Sequence, residues 1–190
     1  MGPLSNIRIL DLTRVWAGPL ALRMLADFGV EVIKISDPRV PVDRESGTNN
    51  KLNRNKLGLA LRLDEPEGRQ LLLDLTNVSD VVIENFSPRV VENFGLGWEV
   101  VQALNPRAIM VRMPAFGLDG PWRDRTGFAM TIEQASGLAW MTGYPDLPMV
   151  VRGTCDPVGG MHAVFATLLA LEERKDSGQG QLVEVPLLEA

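Results

Sequence analysis

The sequence predicts an α/β fold with a largely parallel sheet. Two observations lead there. Short apolar runs of strand length alternate with segments whose apolar residues fall at helical spacing. The chain opens with a strand–helix–strand pattern, which implies parallel strands joined by a right-handed crossover.

The elements are taken in order. Ile7–Leu12 is an apolar run ending in a polar turn and is read as a strand. Ala17–Phe28 places Leu20, Met24, Leu25 and Phe28 at helical spacing, and Gly29 ends it. Val30–Ile35 is a second strand. Ser36–Lys56 is polar and rich in Pro, Asn and Arg, so it is read as a long loop, a common place for function. Leu57–Leu63 is a third strand. Asp64-Glu65-Pro66-Glu67 then has the form of a capping box with an early proline, opening a helix to Asn77. Asp80–Glu84 and Ala108–Met113 are a fourth and a fifth strand, with short helices around Val90 and Val100 between them. Phe116–Gly127 is a second long loop.

Thr131–Trp140 is expected to be helical and Met149–Arg152 extended. Val158–Arg174 is expected to be an amphipathic helix that packs through Val158, Met161, Phe165, Leu168 and Leu169. Gly178 and Gly180 end it, and Gln181–Val185 starts a further strand. Little follows that strand, so the element that should cover it is expected to be missing.

The chain has 190 residues, 45% hydrophobic and 23% charged, with a formal net charge of −5. This is the composition of a globular domain with a core of its own. The negative charge argues against nucleic acid or an anionic membrane as the main partner. MGPLSNIRILDL has no basic stretch leading into an apolar one, so no signal peptide is expected. No apolar run is long enough to span a bilayer. A single cysteine, Cys155, leaves no intrachain disulfide. A cytoplasmic enzyme fits all of this.

Most common catalytic motifs are absent. No GxGxxG follows the first strand and no phosphate-loop or HExxH sequence occurs. His162 is the only histidine and is read as a packed helix residue, which disfavours both a Ser–His–Asp triad and a thiol–imidazole pair with Cys155. Asp156 draws attention because it precedes Pro157 and a helical pattern. It reads as an N-cap with proline at the first helical position. An N-terminal carboxylate is favoured in its charged form by the helix dipole, and a nucleophilic carboxylate needs that charge. Gly153, Gly159 and Gly160 would leave room for a substrate. Basic residues gather in the two long loops: Arg39, Arg44, Lys51, Arg54 and Lys56 in one, Arg123 and Arg125 in the other. They are either a solvated loop surface or the lining of a phosphate pocket.

Several longer stretches carry a resemblance. They are LSNIRILDLTRVWAGPLALRMLADFGVEVIKI, NRNKLGLALRLDEPEGRQLLLDL, DVVIENFSPRVVENFGLGWEVVQALNPRAIMV, FGLDGPWRDRTGF, EQASGLAWMTG and CDPVGGMHAVFATLLALEERKDSGQGQLVEVPLLEA. In this order they resemble the class III CoA-transferase family, CaiB/BaiF type, which includes formyl-CoA and carnitine CoA-transferases and α-methylacyl-CoA racemases. The resemblance covers nearly the whole chain. It implies a Rossmann-like large domain, of which residues 1–190 form the N-terminal part. It also implies a small second domain absent from this chain and a homodimer of interlocked subunits.

The resemblance further implies that CoA is carried as a thioester on the aspartate matching Asp156. CoA would lie against Val15, Trp16, Ala17, Arg39, Leu61, Asn85, Phe86, Ser87 and Arg125. Acyl-CoA and a carboxylic acid would be the substrates, with no prosthetic group and no metal. Backbone N–H groups near Gly159 and Gly160 would stabilise developing oxyanions. Trp16, Leu57 and Asn93 depart from polar or basic residues found in some relatives. The racemase branch resembles a Gly-His-Asp motif where this chain has Gly127-Phe128-Ala129, so transfer is favoured over racemisation. A non-catalytic CoA-binding fragment is the remaining alternative.

Overall fold

The structure, a computed structural model, describes residues 2–41, 46–147 and 153–190. Six strands form one sheet in which every neighbouring pair is parallel. They are β1 (Arg8–Asp11), β2 (Glu31–Ser36), β3 (Lys56–Ala60), β4 (Val81–Glu84), β5 (Ile109–Arg112) and β6 (Leu182–Glu184), in the order β3-β2-β1-β4-β5-β6. The helices are α1 (Ala17–Asp27), α2 (Gly47–Asn53), α3 (Pro66–Asn77), α4 (Pro88–Asn93), α5 (Trp98–Leu104), α6 (Ala129–Ala135), α7 (Leu138–Met141) and α8 (Cys155–Ser177). The α/β, Rossmann-like expectation is met.

Side chains alternate across the sheet with period two. Ile9, Val81, Ile83, Ile109 and Val111 join a core with Ala21, Leu22 and Leu25 of α1 and with Ala163, Ala170 and Leu171 of α8. Leu10, Val82 and Met110 face the other way, toward Leu72, Val91 and Val101 of α3, α4 and α5. The central strands are therefore buried on both faces, which explains their continuous apolar runs.

Four expectations need correction. The loop 36–56 contains α2, whose N-cap Ser46 accepts a hydrogen bond from the Asn49 N–H at 3.3 Å. With one apolar residue in seven, α2 leaves no periodic signal. The capping box before α3 does not form. Glu65 occupies the N-cap without a side-chain bond, and the Asp64 carboxylate turns instead to Arg62 (2.8 Å) and Arg39 (2.9 Å). The helix expected over 131–140 breaks into α6 and α7 at Gly137, whose φ of 83° is left-handed. The segments 42–45, with Arg44, and 148–152, with the whole of the expected Met149–Arg152 strand, lie outside the described residues.

The fourth correction concerns α8. It begins at Cys155, three residues earlier than expected, and ends at Gly178 as expected. The face predicted to pack is the one turned outward: Met161, Phe165, Leu168 and Leu169 are exposed, Phe165 by 63%. Gly159, Gly160, Ala163, Thr167 and Ala170 are buried instead. The reason is the closeness of α1. A Cβ on Gly160 would lie 2.7 Å from the Ala17 carbonyl oxygen and 3.6 Å from the Ala21 nitrogen. Only small residues fit against a backbone at that distance. His162 is likewise exposed rather than packed, with Nδ1 3.0 Å from the Val158 carbonyl.

Candidate functional site

In an open parallel sheet, ligands bind beyond the carboxyl ends of the strands where the strand order reverses. Here that point lies between β1 and β4. The two loops are tied together there. The Arg14 N–H donates to Asn85 Oδ1 at 2.7 Å, and Asn85 Nδ2 donates to the Arg14 carbonyl at 2.8 Å. The Asn85-Phe86-Ser87 turn is held from below. Buried Glu84 accepts from Phe86 N–H (2.7 Å) and pairs with Arg112 (2.7 Å), which also donates to the Pro88 carbonyl. Val15, between the clamp and α1, has φ 63°, a left-handed conformation that β-branched residues seldom adopt.

Two cavities open at this end of the sheet. The smaller, about 250 Å³, is lined by Arg14, Val15, Asn85, Phe86, Ser87 and Arg125, with Phe128, Asp156 and Leu187 among the rest of its wall. Six of the ten residues expected to form the site therefore meet in one place: Val15, Asn85, Phe86, Ser87, Arg125 and Asp156. Trp16 and Ala17 lie just beside it, at the N-cap and first residue of α1. Arg39 does not reach it. Its guanidinium is exposed and held by Asp37 (2.6 Å) and Asp64 (2.9 Å), and the Arg39 hydrogen bonds hold the Asp37 carboxyl well below the usual carboxylate range. Leu61 does not reach it either, being buried among Leu10, Leu12 and Ile35.

The larger cavity, about 460 Å³, shares Arg14 and Val15 and runs over β2 and β3, lined also by Thr13, Lys34, Asn49, Asn53 and Lys56. Its floor is a buried charge cluster that sequence reasoning missed. Asp11 Oδ1 accepts from the Thr13 N–H (2.8 Å), the Thr13 hydroxyl (2.6 Å) and Lys34 Nζ (3.1 Å), and Asp11 Oδ2 accepts from Lys56 Nζ (3.1 Å). Burial pushes the Asp11 carboxyl up, but the two ammonium groups and Thr13 outweigh it and hold the carboxyl below its usual range. Burial lowers both lysines. The available signal was charge inside otherwise apolar strands. Arg54 of the expected basic cluster is likewise engaged, by Asp27.

Asp156 sits in the first turn of α8, and Thr154 rather than Asp156 is the N-cap, without a side-chain cap bond. The carboxyl is half-buried, and its proton affinity is raised, not lowered as the dipole expectation held. Burial is the main cause. A hydrogen bond from the Ala17 backbone opposes it, and the nearby Glu133 charge adds to it. Two donors at the helix end are already taken. Glu133 of α6 accepts from the Thr154 N–H (2.8 Å) and the Cys155 N–H (3.0 Å) through Oε1. Gly159 and Gly160 are buried against Leu187 and α1 and line neither cavity. Their role is helix packing, so they offer no oxyanion donors to the cavity. Cys155 is buried, and burial together with the Asp156 and Glu133 charges pushes its thiol up to about 12.

Residues 4–190 match CoA-transferase family III. The chain belongs to this family. It is 40% identical to the succinyl-CoA–D-citramalate CoA-transferase of Chloroflexus aurantiacus, over 98% of this chain and 50% of that protein. It is 33% identical to the formyl-CoA:oxalate CoA-transferase of Streptomyces avermitilis, over 98% of this chain and 48% of that protein. The crystal structure of a CaiB/BaiF family protein from Brucella suis superposes with a TM-score of 0.91 at 31% identity, covering 99% of this chain and 54% of that one. This family III chain thus spans about half the length of the curated relatives it matches. Among its described residues no helix is long and apolar enough to cross a membrane, and no cluster of three metal-ligating side chains occurs.

Proposed function

We propose that the protein acts as a CoA-transferase, moving CoA from an acyl-CoA donor to a carboxylic acid with Asp156 as the covalent carrier. One observation carries this reading: Asp156 is the only carboxylate among the described residues lining the switch-point cavity, and it has no ion-pair partner there. A carboxylate held partly out of water gives up less hydration when it attacks a carbonyl.

In the first step an Asp156 oxygen attacks the donor thioester carbonyl. The C–S bond breaks, CoA leaves as thiolate, and a mixed anhydride forms. The thiolate sulfur then attacks the aspartyl carbonyl. The aspartyl C–O bond breaks, the donor leaves as its free carboxylate, and aspartyl-CoA thioester remains. The acceptor carboxylate attacks that thioester and expels the thiolate. The thiolate in turn attacks the acceptor carbonyl of the new anhydride, giving acceptor-CoA and the Asp156 carboxylate. Each exchange is an attack on an activated carbonyl, which replaces one difficult step by easier ones.

The two cavities meet at Arg14 and Val15 and give CoA a bent path, with its reacting end at Asp156 and its nucleotide end over β2 and β3. Arg14 and Arg125 on the smaller cavity suit acidic acyl groups and acceptors, in keeping with the succinyl, citramalate and oxalate named for the relatives. Racemisation needs a proton donor and acceptor at the α-carbon, and Phe128 on the cavity wall supplies neither. In this reading residues 1–190 are the N-terminal part of the large CoA-binding domain. The small domain and the interlocked homodimer belong to the whole enzyme.

The test is mass spectrometry of the full-length protein incubated with succinyl-CoA. An acyl or CoA adduct on the Asp156 peptide, converted to a hydroxamate by hydroxylamine, is expected. An adduct on Cys155 or on no residue would overturn the reading.

A further inference from the structure

The start of α8 is held from behind, by α6. Glu133 is 2% exposed, and its Oε1 takes the two foremost N–H groups of the helix, those of Thr154 and Cys155. Its Oε2 is buried with no hydrogen-bond partner among the described residues. Capping by a local Ser, Thr, Asp or Asn is the common solution at a helix start, and Thr154 stands at the N-cap with its side chain unused. A distant carboxylate with one oxygen unpaired is a costlier cap. It brings something a hydroxyl does not, a negative charge at the positive end of the α8 dipole, beside Asp156.

We propose that Glu133 is a positioning residue for Asp156: it clamps the first turn of α8 against α6, and its charge offsets the helix end that would otherwise stabilise the aspartate anion and blunt it as a nucleophile. This rests on the reading of Asp156 as the acyl carrier. α6 starts in the wall of the cavity at Ala129 and reaches Glu133 one turn later, so the wall facing the substrate and the clamp on the carrier belong to one rigid element. Among the described residues, the charged or titratable groups around Asp156 are Glu133 from α6, Cys155 on its own helix, and Arg14 and Arg125 across the cavity. Cys155 stays neutral through the accessible pH range, as its thiol is pushed up to about 12. Glu133 lies outside the cavity lining, so its replacement changes the field at Asp156 without altering that wall.

The test compares Glu133→Gln, which keeps an acceptor for both N–H groups, with Glu133→Ala, which removes it, in the full-length protein. Hydrogen exchange of the 153–160 segment needs no substrate. It should speed up in Glu133→Ala and stay near the parent in Glu133→Gln. A carbon-13 titration of the Asp156 carboxyl should move to lower pH in Glu133→Gln, and the acidic limb of adduct formation should move with it, raising the rate below the limb. A merely structural role predicts an unchanged titration in Glu133→Gln. That result, or unchanged exchange in Glu133→Ala, overturns the proposal. A parent protein that forms no adduct overturns the carrier role alone, and the exchange and titration arms then decide the clamp.

Discussion

The end of β1 and the start of α8 each present a carboxylate to the same end of the sheet, in opposite electrostatic settings. Asp11 is fully buried and meets two lysines and a threonine, so its charge is matched and its carboxyl is held below the usual range. Asp156 is half-buried and meets another carboxylate instead of a cation, so its carboxyl is held above it. The difference separates architecture from chemistry. A matched charge welds three strands together under the larger cavity, whereas an unmatched one is left with an incentive to form a bond.

The sharpest way to break the comparison is to neutralise each acid in turn. Asp156→Asn is expected to remove transfer, because an amide does not replace the carboxylate nucleophile, while the melting temperature equals or exceeds the parent's. Its folded-state carboxyl has a raised affinity for protons, so the ionised group opposes folding at neutral pH; that cost fades as pH falls through the raised folded value and is gone below the ordinary carboxylate range. Asp11→Asn is expected to lose about 3–5 kcal/mol, since two buried ammonium groups lose their partner. Its contribution runs the other way with pH. It is present above the ordinary carboxylate range and lost as pH falls through the depressed folded value. Urea titrations of both variants between acid and neutral pH check the two signs. A destabilised Asp156→Asn with a neutral Asp11→Asn would erase the distinction.

A smaller effect tests what brings Asp156 to its place. Gly160→Ala sets a methyl against the Ala17 carbonyl. The α1–α8 contact should loosen by about 1–3 kcal/mol, with transfer reduced because Asp156 loses its register with the Ala17 N–H. Gly47→Ala meets nothing within 4 Å and lies outside both cavities, and serves as the control, expected to leave both quantities near the parent's. The smallest expected effect is a null. Cys155, beside Asp156, should resist iodoacetamide at pH 8 in the folded protein and react once unfolded in urea, because its thiol remains protonated.

Much of this was legible from residues alone. The apolar runs at Ile7–Leu12, Val30–Ile35, Asp80–Glu84 and Ala108–Met113 became β1, β2, β4 and β5 with ends displaced by a residue or so, because a strand buried on both faces has to be apolar throughout. Asp156 stood out because proline and a helical pattern follow it. What stayed hidden depended on distances between elements. The packing face of α8 was misread since size, not hydrophobicity, decides what fits against α1, and no local pattern announces how near α1 lies. Glu133 did not stand out within the helix expected over Thr131–Trp140. Its value comes from meeting Thr154 and Cys155, 21 and 22 residues away. The basic loops fitted either a solvated surface or a phosphate lining, and Arg39 and Arg54 spend their charge on Asp37, Asp64 and Asp27.

Val15 carries a last consequence. Its left-handed backbone costs about 1–3 kcal/mol for a residue of its kind, and the Arg14–Asn85 clamp holds the neighbouring residue so that the loop does not relax. The side chain stands 68% exposed, on the wall common to both cavities. Glycine would adopt this conformation freely. A chain shaped by thermal endurance alone would carry glycine here. The isopropyl group at the junction of the two cavities therefore shapes their common wall at the expense of the endurance of the fold.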